Sequence, residues 1–315
     1  MENKADVTRL RKWIVAARPW SFPASTMPVI FGTSLAVVAG GASLNPFYFL
    51  LAFLAMVILH AAANMLSDAF DFQRGLDRDV TPVSGAVVRG WLSVKDAKRG
   101  AAVLFVAGSA AGLALAGMTG RALLVVGVIG VAVGLFYTLL KYHALGDLAV
   151  FLDFGILGSL GAWIIQTRAF SWLPVIWAVP MAMLVSAILH ANNWRDTVTD
   201  SEREVKTMAS LLGDRRSLAY YGLLVFGPFA LVFLFIVLPR LFPMPLRPMP
   251  WRFSIVVLAL PMALRLWGRA LRRRAPRKPL DFVILDGATA QLNLAFGLLY
   301  SAAAWLPRVL PFLGR

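Results

Sequence analysis

The stretch NMLSDAFDFQRGLD, residues 64–77, closes an apolar run that begins near residue 46. Asp68, Asp71 and Asp77 therefore stand where a helix is leaving hydrocarbon. Carboxylates are costly at that depth, so an ionisable group there is a functional candidate by default.

The rest of the chain supplies the setting. Its 315 residues are 59% hydrophobic and 15% charged, and the mean hydropathy is +0.72. A soluble domain carries about 25% charged residues. Apolar segments of span length, roughly 20 residues for about 30 Å of hydrocarbon, are read at 22–40, 46–67, 101–119, 122–140, 147–166, 172–191, 218–239, 252–271 and 282–306. The fold expected is all-α, a polytopic membrane protein of about nine transmembrane helices around a central cavity. Residues 1–315 form one integral-membrane domain in this reading, with 1–21 as a cytoplasmic N-terminal segment. The first apolar segment is too long for a cleavable signal and lacks a clear cleavage site, so it is expected to stay as the first span.

The net charge of +15 does not point to nucleic acid, because the basic residues flank apolar segments and form no continuous stripe. Cysteine is absent, which excludes disulfides and thiolate metal sites. With loops assigned alternately to two sides, one side collects Lys4 to Arg18, Arg74 to Arg99, Lys141, Arg195 to Arg216 and Arg272 to Lys278. The other side holds only Arg121, Arg168, Arg240, Arg247, Arg252, Arg308 and Arg315. The positive-inside bias predicts a cytoplasmic N-terminus and cytoplasmic acid-bearing loops. Every Asp and Glu falls on that same side, in a loop, the tail or the adjoining half of a span.

A second stretch, NNWRDTVTDSEREVKT (192–207), echoes the first: an Asn, an Asp at helical spacing, then another Asp. At about 100° per residue, Asn64, Asp68 and Asp71 share one helix face, and so do Asn193, Asp196 and Asp200. Both sets end outward-to-inward spans, so two equivalent helix ends are expected to converge. Paired oxygen ligands suit Mg²⁺, which takes one or two carboxylates per ion together with substrate phosphates and water. Arg74, Arg78, Arg195, Lys206 and Lys141 lie near, as a diphosphate bridged by Mg²⁺ requires. The plainer reading is that these acids cap helices or pair with local arginines; two matching motifs weigh against it. A cation transporter, the rival class, would place acids near the bilayer midplane on broken helices, not at helix ends among cations.

Here the residues reach a resemblance. NMLSDAFDFQRGLD and NNWRDTVTD are similar to the two Asp-rich motifs of the UbiA superfamily of intramembrane prenyltransferases. Arg74, Gly75, Leu76 and Asp77, RPWSFPASTMPVIFGT (18–33) and LGDLAVFLDFG (145–155) resemble most the branch that prenylates 1,4-dihydroxy-2-naphthoate in menaquinone synthesis, MenA. The resemblance covers positions 18 to about 216, and beyond that only hydropathy agrees. It implies Mg²⁺ held by Asp68, Asp71, Asp196 and Asp200 and gripping a polyprenyl diphosphate. Arg74, Arg195, Lys141 and Lys206 would stabilise the departing diphosphate, with Asn64 and Asn193 as orienting groups or secondary ligands. An aromatic acceptor would attack the allylic cation at carbon, and Asp147 would position or deprotonate it. Other acceptors within the superfamily are 4-hydroxybenzoate, homogentisate, a glycerol-phosphate lipid and a porphyrin. The home expected is a bacterial or archaeal plasma membrane, with membrane lipids as neighbours.

Two departures stand out: TLLKYHAL (138–145) lacks the Gly/Pro-rich character usual there, and Asp153 replaces an apolar residue. Tyr137 either shields the cation by cation–π attraction or packs. His60 and His190 are expected to hydrogen-bond, not to ligate metal. Trp163, Trp172, Trp177 and Trp251 read as interfacial belt residues. The Arg272–Lys278 run reads as a headgroup anchor, with Asp286 as its local partner.

Overall fold

Small hydroxyl and amide residues just ahead of apolar runs start the helices, because their side chains satisfy N–H groups that a helix's first turn leaves free. Thr8, Asn45, Ser93, Ser171 and Thr207 each accept such a bond in the computed structural model, which describes residues 7–76, 80, 85–245, 247–272 and 285–309. Among the described residues the helices are α1 (Arg9–Ala17), α2 (Pro23–Val38), α3 (Pro46–Gln73), α4 (Val94–Thr119), α5 (Arg121–Tyr142) and α6 (Gly146–Thr167). They continue with α7 (Trp172–Arg195), α8 (Thr197–Glu202), α9 (Met208–Leu241), α10 (Trp251–Arg272) and α11 (Leu285–Val309). The expected all-α class holds; apart from one isolated bridge between His143 and Lys206, no extended pairing occurs among the described residues.

Seven helices are long and apolar enough to cross a membrane, and α1 with α2, bent by 57°, makes an eighth. The chain is an integral membrane protein. The ninth expected span is helical as α11, but Gln291 and Asn293 leave it less apolar than the rest. It lies against α2, α7 and α10, with Thr289, Asn293 and Ser301 buried inside the protein. The amide of Asn293 donates to the Pro23 carbonyl at 2.9 Å. Interior packing, not lipid, is what α11's composition answers to.

The large buried side chains follow the same partition. Phe31, Phe253, Phe296 and Tyr300 pack ring on ring, and Tyr300 donates to the Trp177 carbonyl at 2.9 Å. Helix α5 in contrast exposes Val125, Val128, Leu135, Phe136 and Leu139, as a lipid-facing helix does. Trp172 and Trp251 are exposed as expected of belt residues, but Trp163 and Trp177 are buried core residues. Hydropathy placed them at span ends and was silent on which face they occupy. Residues 273–278, most of the expected headgroup anchor, lie outside the described residues, as do Asp77 and Arg78.

Close helix approach depends on small residues, since lipid offers little hydrophobic force to bring helices together. A Cβ on Gly32 of α2 would meet the Ser159 carbonyl oxygen of α6 at 2.1 Å. Gly32→Val is therefore expected to force the two helices apart and destabilise the protein by about 2 kcal/mol or more. Thermal unfolding in detergent reads this out, with Gly112→Ala, which meets nothing within 4 Å, expected to melt like the parent.

Candidate active site

The end of α3 carries the first motif, and its two acids are held differently. Asp71 is buried. One of its oxygens accepts from the Tyr142 hydroxyl at 2.7 Å; the other accepts from Lys141 Nζ and Ser67, both at 3.1 Å. Asp68, also buried, accepts from Arg18 Nη2 at 3.2 Å and from the Val87 N–H at 3.0 Å. Gly85 lies so close that a Cβ there would meet Asp68 Oδ1 at 1.9 Å. Asn64, one turn earlier, donates to the Ala17 carbonyl at 2.9 Å and to Ser21 at 3.0 Å. It orients the bend between α1 and α2. His60 joins the same network, its ring nitrogens 2.8 Å from Ser25 and 3.2 Å from Ser21, as expected of a hydrogen-bonding histidine.

The second motif does not stay on one helix. Helix α7 stops at Arg195, Asp196 is its cap, and Asp200 sits on the short α8. The break is one residue long: the Asp196 N–H still donates to the Asn192 carbonyl at 3.3 Å and the Asp200 N–H to the Asp196 carbonyl at 2.9 Å, each four residues back as in a helix. Asp196, about one third exposed, takes a two-pronged bond from Arg195 at 2.8 Å for each prong. Arg195 also donates to Asp286 at 2.9 Å, and Asn192 does so at 3.2 Å. Among the described residues, then, Asp286 pairs with the second motif. Asp200 is buried, with the Thr207 hydroxyl at 3.4 Å. Burial pushes its carboxyl up to about 7; Lys141 opposes the rise, and Asp196 and Asp71 add to it.

Those influences show the two motifs sharing one region, with Lys141 near acids of both. A roof ties them together. Tyr142, Leu76 and Val205 form one buried cluster, and the Lys206 N–H donates to the Tyr142 carbonyl at 3.3 Å. Arg74 lies over the Tyr142 ring at 4.5 Å, while the Lys206 side chain is exposed. Tyr137 packs with Ala24, Phe154, Val185 and Leu189, one turn below Lys141. Asp147 points elsewhere: it meets His190 at 3.1 Å between α6 and α7, both buried.

No three acid or histidine side chains are close enough to share an ion among the described residues. The donor chemistry nonetheless fits a hard divalent cation. Asp68, Asp71 and Asp196 are all engaged by Arg or Lys groups, positions that a positive ion also satisfies. The Asn193 side-chain oxygen is buried and has no hydrogen-bond partner among the described residues. A cation on these acids would compete with Arg18, Lys141 and Arg195 for the same oxygens.

The sequence reading missed Arg18, Tyr142, Gly85 and Thr207 as site residues. Arg18 had served as a topology charge and as the first residue of the family-like stretch 18–33, and Tyr142 only as part of TLLKYHAL, neither with a role at the site.

Comparison with known proteins gives the following. Residues 25–307 match the UbiA prenyltransferase family. UbiA prenyltransferase domain-containing protein 1 of Danio rerio is 33% identical, over 91% of this chain and 82% of its own length. A UbiA homolog from Aeropyrum pernix K1, in its apo structure, aligns with TM-score 0.62 and 19% identity over 91% of this chain and 98% of that one. A UbiA homolog from Archaeoglobus fulgidus bound to GPP and Mg²⁺ aligns with TM-score 0.59 and 16% identity over 92% of this chain and 99% of that one. The two structures show a shared fold.

The Lys141–Asp71 pair yields a direct test. Lys141→Met strands a buried carboxylate and is expected to cost about 3–5 kcal/mol. Adding Asp71→Leu removes the stranded charge and is expected to restore more than half of that loss. Equal melting of the single and double variants would show that the two groups do not depend on each other.

Proposed function

The chain belongs to the UbiA prenyltransferase family, and from that premise we propose that it moves a polyprenyl group from its diphosphate to a ring carbon of an aromatic acceptor. The observation that carries this reading is Lys141, a buried cation on Asp71 of the first motif and within electrostatic reach of Asp200 of the second. A diphosphate needs such a cation, together with a place for metal-bridging oxygens.

Asp68, Asp71, Asp196 and Asp200 would hold Mg²⁺, with Asn193 beside them. When bound, Mg²⁺ would supply positive charge against the departing diphosphate oxygens. Lys141, Arg18 and Arg195, freed from their acids, would bind the diphosphate from the interior, with Arg74 and Lys206 closing over it from the roof. Positive charge fixed in place before ionisation lowers the barrier to breaking the carbon–oxygen bond. The Tyr137 ring, below Lys141, would face the allylic cation and shield it from water. The isoprenoid tail would lie among apolar side chains deeper in the membrane.

For the acceptor we favour 1,4-dihydroxy-2-naphthoate: its electron-rich ring attacks the cation at the carboxylate-bearing carbon, and CO₂ leaves. The sequence motifs support this branch; the animal relative is a reminder that others share the fold. Asp147, locked to His190, is better placed to fix α6 on α7 than to take the acceptor's proton. The charge bias puts the acid-bearing ends of α3 and α7 in the cytoplasm, where a water-soluble diphosphate head can arrive.

Purified protein in nanodiscs, given a polyprenyl diphosphate and 1,4-dihydroxy-2-naphthoate, is expected to form prenylated naphthoquinol with Mg²⁺ and not with EDTA. Asp68→Asn and Asp196→Asn should each lower the rate by about a hundredfold or more. Turnover indifferent to EDTA and to both substitutions would refute the site.

A further inference from the structure

Asp153 is an acid for which neither motif has a use. It lies in a seven-residue π-helical stretch, Phe151–Leu157, within a membrane-crossing helix. Such stretches are rare, cost hydrogen-bond geometry, and occur frequently at functional sites. The side chain is half-buried, and no hydrogen bond or ion pair to its carboxyl is found among the described residues.

Its direction is fixed by its neighbours. Phe154 packs on the His60 ring at 4.5 Å, and Gly155 abuts Ala182 of α7. Asp153 is thereby turned to α5, where a Cβ on Gly130 would lie 2.9 Å from its Oδ1. A larger residue at position 130 would have to displace that carboxyl. Gly130, Gly134, Tyr137 and Lys141 follow one another at spacings of four, three and four, so they form a single stripe of α5. The stripe faces inward, since Val128, Ile129, Leu135, Phe136 and Leu139 beside it are exposed. Along the axis Gly130 is roughly 16 Å from Lys141 and roughly 10 Å from Tyr137, at 1.5 Å per residue. Lys141 marks the diphosphate end of that stripe, and the Asp153 carboxyl marks a second polar point below it. The Tyr137 ring stands between the two polar points.

We propose that the Asp153 carboxyl accepts a hydrogen bond from a hydroxyl of the aromatic acceptor, on the side of the ring away from the diphosphate, and so selects hydroxylated rings. The role rests on the prenyl-transfer reading. A tail of hydrocarbon is the wrong occupant, because it would leave the carboxyl without any partner in a dry place. A metal ion is the wrong occupant too, since no further acid or histidine joins Asp153 in a ligand group among the described residues. A hydroxyl supplies the missing donor, and a site built around such a bond discriminates strongly against analogues that lack it.

The test separates this site from catalysis by measuring equilibrium binding without prenyl diphosphate. The ligands are 1,4-dihydroxynaphthalene and its dimethyl ether, titrated against detergent-solubilised protein under reducing conditions. The parent protein is expected to bind the diol about tenfold or more tightly than the ether. Asp153→Leu should abolish that preference by weakening the diol alone, and Asp153→Asn, whose amide oxygen still accepts, should keep most of it. Prenyl diphosphate binding should stay unchanged in both variants. No preference in the parent protein, or a preference that survives in Asp153→Leu, would overturn the proposal. A parent protein that prefers the diol through Asp153 yet transfers no prenyl group would sustain the site and sink the reaction.

Discussion

A carboxylate buried at the end of a membrane helix must be met by donors, and at Asp71 three side chains from two helices do so. Lys141 and Tyr142 come from the last turn of α5, so the pair fixes where α5 ends relative to α3. The Tyr142 carbonyl then anchors the chain at Lys206, and the same ring carries Arg74. Remove the charge at Asp71 and the reason for each of these neighbours weakens in turn. Breaking such a buried pair costs about 3–5 kcal/mol, a large share of ordinary folding stability. A contact this costly to disturb is also a poised one, since a divalent ion with a diphosphate offers both partners a replacement.

The N-terminal segment is tied to the same point. Arg18 adopts a left-handed backbone conformation, φ 53°, at the end of α1, and its guanidinium reaches Asp68. Just beyond it Ser21 lies against Asn64 and His60, so the bend between α1 and α2 rests on the face of α3 that carries the first motif. Across the site, Arg195 bridges Asp196 and Asp286 and links the end of α7 to the start of α11. Asp68, Asp71 and Asp196, in holding their cations, also hold structural joints. Binding chemistry and the packing of the helix ends are therefore parts of one electrostatic arrangement.

What the sequence made legible was what depends on local pattern. Apolar runs located the spans, and the Asn–Asp–Asp spacings found both motifs, because periodicity and composition are properties of a single segment. What it hid depends on neighbours far along the chain. Gly85 touching Asp68 and Asp286 meeting Arg195 join residues 17 and 91 positions apart, with no motif to announce either. The break at Asp196 was hidden for another reason: a regular spacing looks the same whether or not the helix continues through it. Trp163 and Trp177 went into the core because aromatic residues near span ends serve a belt or a core equally well, and the packing face decides. Asp153 was visible as an oddity, but its meaning needed the π-helical turn and Gly130 opposite.

The central claim is that acids from both motifs gather around one metal-bridged diphosphate. Electron–nuclear double resonance on Mn²⁺ bound with a non-hydrolysable prenyl diphosphate measures it most directly. The expected result is phosphorus-31 coupling to the bound Mn²⁺, lost in Asp71→Asn and equally in Asp200→Asn. Mn²⁺ bound without phosphorus coupling, or coupling that survives the loss of one motif, would contradict a shared site.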